Sequence, residues 1–128
     1  MSVPDTLQAA LDLFQQGQYR ESRQLCRRLL RSGPQDPEIW QLAAGASIQL
    51  GQYERAAGEL KSAISLVPRQ ARFRGSLASL YLAMGDPLRA LRLAEQACRL
   101  SPGDVRMAAI LGRACVAAGR SGRAIEVL

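Results

Sequence analysis

Apolar residues recur along this chain at the three- and four-residue spacing of amphipathic helices. The segments that carry this spacing are about 12 to 14 residues long, and glycine or proline separates them. Glycine favours the position just past a helix end, and proline cannot continue a helix. The pattern therefore predicts an all-α protein without strands. Its helices are expected near residues 5–16, 19–31, 37–50, 53–66, 71–84, 87–100, 105–118 and 121–128.

The separating residues repeat with a period of 34. This period relates the glycines Gly17, Gly51, Gly85 and Gly119 and the prolines Pro34, Pro68 and Pro102. A small residue lies seven positions before each of these glycines: Ala10, Ala44, Ala78 and Gly112. Small side chains let helix axes approach closely, so we expect the two helices of each pair to cross there. Each repeat then consists of a helix, a glycine turn, a second helix and a proline turn.

The repeated residues resemble the tetratricopeptide repeat family. The second repeat carries the family pattern best, with Trp40, Ala43, Ala44, Gly51, Tyr53, Ala56, Leu60, Ala63 and Pro68. The third repeat departs from it at Arg74 and Pro87, where the family has Trp and Tyr. The resemblance divides one domain, 1–128, into repeats 3–36, 37–70, 71–104 and a truncated 105–128. It implies a right-handed superhelix of antiparallel helix pairs, an α-α solenoid, whose first helices line a concave groove that binds peptides or partner domains.

The fourth repeat stops before its second helix would be complete. A terminal repeat without a capping helix exposes apolar residues. These would be Leu111, Cys115, Ala124, Ile125 and Leu128. We therefore expect the chain to be a fragment of a longer protein, or to self-associate through this open end.

Family geometry predicts which side chains face the groove. The predicted partner-binding residues are Leu7, Leu11, Phe14, Gln15, Glu38, Gln41, Ile48, Gln49, Arg72, Ser79, Leu82, Arg106, Arg113 and Val116. An apolar residue recurs every 34 positions among them, at Phe14, Ile48, Leu82 and Val116. This row either anchors Leu-like side chains of a partner or completes the packing between first helices. The arginines either pair with an acidic residue or free carboxylate of the partner or remain solvated.

Family members that clamp chaperone C-terminal tails carry Lys and Asn on the first helix of the first repeat. This chain has Leu7 and Leu11 there, and Leu42 replaces an Asn of the second repeat. The resemblance therefore disfavours chaperone-tail binding.

Composition argues against catalysis. The chain has no histidine, which removes the commonest general base and metal ligand. We expect no enzyme activity, no cofactor and no metal site. Nothing near Met1 resembles a secretory signal, and no apolar run reaches membrane-spanning length. Cys26, Cys98 and Cys115 lack disulfide or zinc spacing and fall on core positions of the repeat. These features predict buried free thiols and a cytoplasmic protein.

Positive charge is unevenly distributed. The net charge of +6 divides into about +2, −2, +4 and +2 over residues 1–34, 35–68, 69–102 and 103–128. An arginine stripe on the second helix of the first repeat comprises Arg20, Arg23, Arg27 and Arg31. The stripe indicates either a solvated outer face or a nucleic-acid footprint. The aromatic residues occupy mostly packing positions, which favours the solvated face.

These observations predict a protein-protein interaction scaffold. The alternative is an N-terminal accessory, substrate-recruiting array of a larger bacterial enzyme, such as a sulfotransferase or glycosyltransferase. RNA binding through the arginine-rich face is less favoured.

Overall fold

The computed structural model describes the backbone of residues 5–127 and the side chains of residues 5–120. Within that range the protein has seven α-helices and no strand, which confirms the all-α prediction. The helices are α1 (Leu7–Gln15), α2 (Tyr19–Ser32), α3 (Pro37–Gln49), α4 (Tyr53–Leu66), α5 (Ala71–Ala83), α6 (Pro87–Leu100) and α7 (Val105–Val127).

The chain forms two compact units, Met1–Val67 and Pro68–Leu128. In the first unit α1 packs on α2, α2 packs on α3 and α3 packs on α4, and α1 also packs on α3. In the second unit α6 packs on α5 and on α7, and α5 also packs on α7. Each unit therefore consists of helices that pack on their sequence neighbours.

Three turns close helix pairs with the same hydrogen bonds. At the first, the N–H of Gly17 donates to the carbonyl of Phe14, and the N–H of Gln18 donates to the carbonyl of Leu13. Gly51 and Gly85 repeat this Schellman arrangement at the ends of α3 and α5. The three glycines have φ of +80°, +77° and +78°, a region that side chains with a Cβ disfavour. The period of 34 in the sequence is thus a period of identical helix terminators.

Short polar side chains begin several helices. Thr6 Oγ1 accepts the N–H of Ala9, and Asp36 Oδ1 accepts the N–H of Glu38. Asp36 also precedes a proline in the first turn of α3, as the Asp-Pro pair predicts. Asp104 caps α7 with its side chain, since its Oδ1 accepts the N–H of Arg106.

Small residues lie at the cores of the helix pairs. Ala10, Ala44 and Ala78 are all at most 1% exposed, which confirms three members of the predicted small-residue row. Across the first pair, Ser22 Oγ also donates to the buried carbonyl of Ala10 at 2.8 Å. In the second unit, Gly75 of α5 lies so close to α7 that a Cβ there would meet Met107 Sδ at 2.6 Å.

The fourth repeat differs from the prediction. Helix α7 runs without a break through Gly119, so the expected separate helices at 105–118 and 121–128 are wrong. Neither Arg120 nor Ser121 stops a helix, and continuing through one glycine costs only about 1 kcal/mol. After the first three glycines the next helix instead folds back and buries Ser22, Ala56 or Ala90 completely.

As a consequence Gly112 is exposed and is not a crossing point, contrary to the small-residue prediction. Of the residues expected to be uncovered, Cys115 is exposed and Leu111 is half-buried. Ala124, Ile125 and Leu128 lie outside the described side chains.

Candidate functional site

In the first unit, two predicted groove residues of α1, Leu7 and Phe14, serve as packing residues. Leu7 packs against the buried cluster that includes Ala10, Leu25 and Ile39. The Phe14 ring lies over Gly45 of α3, where an added Cβ would come within 3.3 Å of it. The same ring meets Tyr19 edge-on, with 5.0 Å between centroids. Phe14 therefore joins α1 to α3, as the packing interpretation of the apolar row requires.

The remaining predicted groove residues of this unit vary in exposure. Leu11, Glu38, Gln41 and Ile48 are half-buried, whereas Gln15 and Gln49 are exposed. Because α1 packs on α3, the structure brings these two sets of residues onto neighbouring helices.

In the second unit, the predicted residues of α5 are half-buried or already contact other side chains. Ser79 and Leu82 are half-buried. Arg72 is exposed, but its guanidinium lies 4.5 Å from the centroid of the Phe73 ring and donates to Gln70 Oε1 at 3.4 Å. Arg72 thus contacts two of its neighbours in sequence, Gln70 and Phe73.

All three predicted residues of α7 are exposed. Val116 is 55% exposed, and Arg106 and Arg113 are exposed as well. Arg106 Nε lies 4.0 Å from Asp104 Oδ1, at the limit of an ion pair, whereas no described carboxylate pairs with Arg113. Spacings of three and four residues place several side chains on one stripe of α7. The stripe lines an open concavity of about 370 Å³ and comprises Ala109, Gly112, Arg113, Val116, Ala117 and Arg120.

A buried polar network in the first unit was not predicted. Arg23 of α2 forms an ion pair with Glu59 of α4, with 3.4 Å between Nη2 and Oε2, and both side chains are nearly covered, at 12% and 8% exposure. Ser47 of α3 lies between them, since its hydroxyl accepts from Arg23 Nε at 3.0 Å and donates to Glu59 Oε1 at 2.6 Å.

The network changes the interpretation of the arginine stripe on α2. Arg23 is not solvated, whereas Arg20, Arg27 and Arg31 are exposed. The buried carboxylate of Glu59 is tolerable because the Arg23 guanidinium supplies its counter-charge and the Ser47 hydroxyl donates to it. A signal for the network existed in the sequence, because Ser47 and Glu59 are polar residues at helix positions that the period places inside.

Comparisons with known proteins decide the family. A tetratricopeptide repeat model matches residues 13–80, and another model of that repeat matches residues 76–128. The chain belongs to the tetratricopeptide repeat family. No curated protein sequence matches it significantly.

Solved structures share the tetratricopeptide fold of this chain. The Yersinia enterocolitica type III secretion chaperone SycD, in complex with a peptide of the translocator YopD, has a TM-score of 0.78 and 17% identity over 86% of this chain and 89% of its own. The first repeat domain of Spaghetti (RPAP3), bound to the HSP90 peptide SRMEEVD, has a TM-score of 0.80 and 18% identity, over 88% of this chain and 89% of its own. MamA has a TM-score of 0.80 and 19% identity, over 94% of this chain and 70% of its own. The likeness confirms the predicted fold class.

The three cysteines of this tetratricopeptide chain differ in environment. Cys26 is fully buried, and burial, reinforced by the charge of Glu59, raises its pKa from 9.0 to about 12. Cys98 is half-buried and Cys115 is exposed, so the prediction that all three are buried is wrong for these two. Within the described residues α7 packs on α5 and α6, and that packing leaves Cys115 exposed.

Two further observations bound the chemistry of the repeats. Over the described residues, no three acidic or cysteine side chains gather where they could hold a metal ion. None of the described helices combines the length and apolar character needed to span a membrane.

Proposed function

We propose that this chain is a protein-interaction module that binds an extended segment of a partner protein. The observation that carries the proposal is that Arg113 and Val116, both exposed, lie next to each other on the stripe of α7. Both belong to the predicted groove set, and they lie one turn apart on the wall of an open concavity. The stripe offers an apolar contact and a cationic contact side by side.

The chemistry of the stripe indicates the kind of segment it would bind. Gly112 and Ala109 leave room for a bulky partner side chain, and Val116 supplies apolar surface for it. The guanidinium of Arg113 can pair with a carboxylate through two parallel hydrogen bonds. The partner segment is therefore expected to carry a Leu-like residue next to an acidic residue or a free C-terminal carboxylate.

The known structures agree with this proposal in kind. SycD holds a translocator peptide, and the Spaghetti repeat domain holds a seven-residue chaperone peptide. Both share the fold of this chain, and the repeat family typically contributes binding without catalysis. We accordingly assign this chain no enzymatic step.

Selection from a random peptide library with free C-termini tests the proposal, followed by affinity measurements on selected peptides. Arg113→Glu is expected to weaken binding by about tenfold, because it replaces attraction with like-charge repulsion. The matched control is Arg92→Glu on α6, which makes the same charge change at an exposed arginine outside the stripe and should stay within about twofold.

A second variant, Val116→Asp, should also weaken binding, since it places a carboxylate where the apolar contact lies. If selected peptides bind all of these variants as they bind the natural chain, the stripe is not the binding surface and the proposal fails.

A further inference from the structure

A cleft of about 430 Å³ opens in the first unit, away from the predicted groove residues. Residues of α2 and α4 form its sides, and Trp40 of α3 contributes to its wall. Both α2 and α4 pack on α3. The volume falls within the range of about 300–1,000 Å³ that is usual for ligand clefts. None of the predicted groove residues lines it.

The cleft concentrates positive charge. Four arginines and one glutamate line it, and that glutamate, Glu59, is already paired with Arg23. The other three, Arg27, Arg31 and Arg55, are exposed, and no described carboxylate pairs with them. Arg27 and Arg31 lie one turn apart on α2, where like charges repel unless an anion lies between them. The cleft therefore has an unbalanced charge of about three units.

One wall of the cleft is apolar. Leu30 is buried, and Trp40 is half-buried. The indole N–H of Trp40 donates to Gln35 Oε1 at 3.1 Å, and Gln35 Nε2 donates to the carbonyl of Leu30 at 3.0 Å. Because its polar atom is already used, Trp40 offers the cleft mainly carbon surface. The same hydrogen bonds hold the ring in place, which lowers the entropic cost of binding.

We propose that this cleft binds an acidic segment of a partner protein, separately from the stripe of α7. Its carboxylates would pair with Arg27, Arg31 and Arg55, and an apolar side chain between them would lie against Trp40 and Leu30. Arginine suits this role because its planar guanidinium matches a carboxylate in geometry.

Nucleic acid fits the cleft less well. Single-stranded nucleic acid is held by a basic track with several stacking aromatics, whereas this cleft offers one aromatic ring. The positive charge is also local, since the first unit as a whole carries seven basic and seven acidic residues, and a local cluster suits a short acidic segment better than a long polyanion.

Trp40 is the only tryptophan of the chain, so its fluorescence reports directly on the cleft. The probe is the peptide acetyl-Glu-Asp-Leu-Glu-Asp-amide, and its control is the same peptide with Gln and Asn in place of the acids. Both ends are capped, so a terminal carboxylate cannot contribute. We expect a saturable change in Trp40 emission with the acidic peptide alone, weakening severalfold between about 50 and 300 mM salt.

Substitution then locates the contact. Arg27→Gln with Arg31→Gln should weaken peptide binding by about fivefold or more, as expected for the loss of two charge-assisted contacts. The matched control, Arg20→Gln with Arg92→Gln, removes the same charge from exposed positions outside the cleft and should change affinity less than twofold. Arginine and glutamine are both good helix formers, so the variants should stay folded, which circular dichroism checks.

Three results would overturn the proposal. The first is the absence of a saturable change in Trp40 emission with the acidic peptide, and the second is an amide analogue that binds as tightly as the acidic peptide. The third is an equal loss of peptide affinity in both double variants. A response to oligouridylate without a response to the peptide would instead make the cleft a nucleic-acid site. Sedimentation showing a dimer that Arg27→Gln with Arg31→Gln disrupts would assign the cleft to a second copy of the chain.

Discussion

Glu59 shows at the scale of single residues how a polar side chain becomes part of the core. Its carboxylate is nearly covered, and it is held by Arg23 from one neighbouring helix and by Ser47 from another. A buried charge of this kind is tolerated only while its partners remain in place. The repeat period identifies position 59 as an inward position, but it does not reveal that α2 supplies the counter-charge.

We predict that Glu59→Gln destabilises the protein by about 3 kcal/mol, because it leaves the Arg23 guanidinium covered without its counter-ion. Urea unfolding followed by circular dichroism measures the loss. The control is Glu95→Gln at an exposed position of α6, which should change stability by less than about 0.5 kcal/mol. Arg23→Met in the Glu59→Gln background should restore most of the loss. Equal effects of Glu59→Gln and Glu95→Gln would contradict the importance of the pair.

We predict that Cys26 makes the stability of the protein depend on pH in the alkaline range. Its pKa is about 12 in the folded state and 9.0 ordinarily, so between these values the unfolded chain releases a proton that the folded chain keeps. The stabilisation that comes from keeping the Cys26 thiol protonated is fully present below pH 9 and is lost as pH rises towards 12. The free energy of unfolding falls by up to about 1.4 kcal/mol per pH unit over that range. Cys26→Ala should remove this part of the slope in urea unfolding between pH 9 and 11. Identical slopes in both proteins would show that the buried thiol does not titrate as described.

The cysteines also differ in expected reactivity. Native protein treated with an alkylating reagent at pH 8 should be modified first at exposed Cys115, whereas buried Cys26 should react only after unfolding. Mass spectrometry of peptides taken at successive times identifies the modified residue. Modification of Cys26 at the rate of Cys115 would contradict its burial.

At the scale of helices, the glycine turns are the strongest link between sequence and structure. The same pair of hydrogen bonds ends α1, α3 and α5, so the periodic glycine defines where each helix stops. Gly119 has the same sequence spacing yet lies inside α7. A terminator works only where the following helix gains enough packing to offset the lost helical hydrogen bonds, and the described structure shows that gain after the first three glycines.

Two glycines only seven residues apart should respond oppositely to alanine. Gly51 has φ of +77°, so Gly51→Ala is expected to destabilise by about 1 kcal/mol or more. Gly58 is exposed inside α4 with no atom within 4 Å of an added Cβ, so Gly58→Ala should stabilise by about 0.5–1 kcal/mol. Thermal and urea unfolding measure both changes. If Gly51→Ala does not lower stability, the turn is not controlled by the backbone conformation of Gly51, and if Gly58→Ala lowers it, position 58 is not free to accept a side chain.

At the scale of the whole molecule, charge divides between the two units. Met1–Val67 contains equal numbers of basic and acidic residues, so the net charge of +6 belongs to Pro68–Leu128. The proposed peptide stripe lies in that basic unit, whereas the proposed acidic-segment cleft is a local concentration of arginine in a neutral unit. The two surfaces should therefore differ in long-range attraction for an acidic partner.

We predict that the association rate of an acidic peptide selected on the α7 stripe falls about tenfold between 10 and 300 mM salt, with a much smaller change in dissociation rate. Stopped-flow mixing measures both rates. A matched peptide with amides in place of its acids is the control and should associate at a rate nearly independent of salt. A salt-independent rate for the acidic peptide would show that the charge of the second unit does not steer its partner.

The sequence alone determined the all-α class, the family, the helix boundaries as far as α6, three turns and the buried small residues. These features depend on local spacing, turn residues and capping side chains, which can be read along one chain. Only the tertiary structure decided that Phe14 packs on Gly45 and that Arg23 pairs with Glu59 beside Ser47. It also decided that Cys115 is exposed and that four arginines line one cleft with Trp40. Those outcomes depend on which helices face one another and how fully they are covered. The identities of the side chains at 23, 47 and 59 do not contain that information until packing brings three helices together.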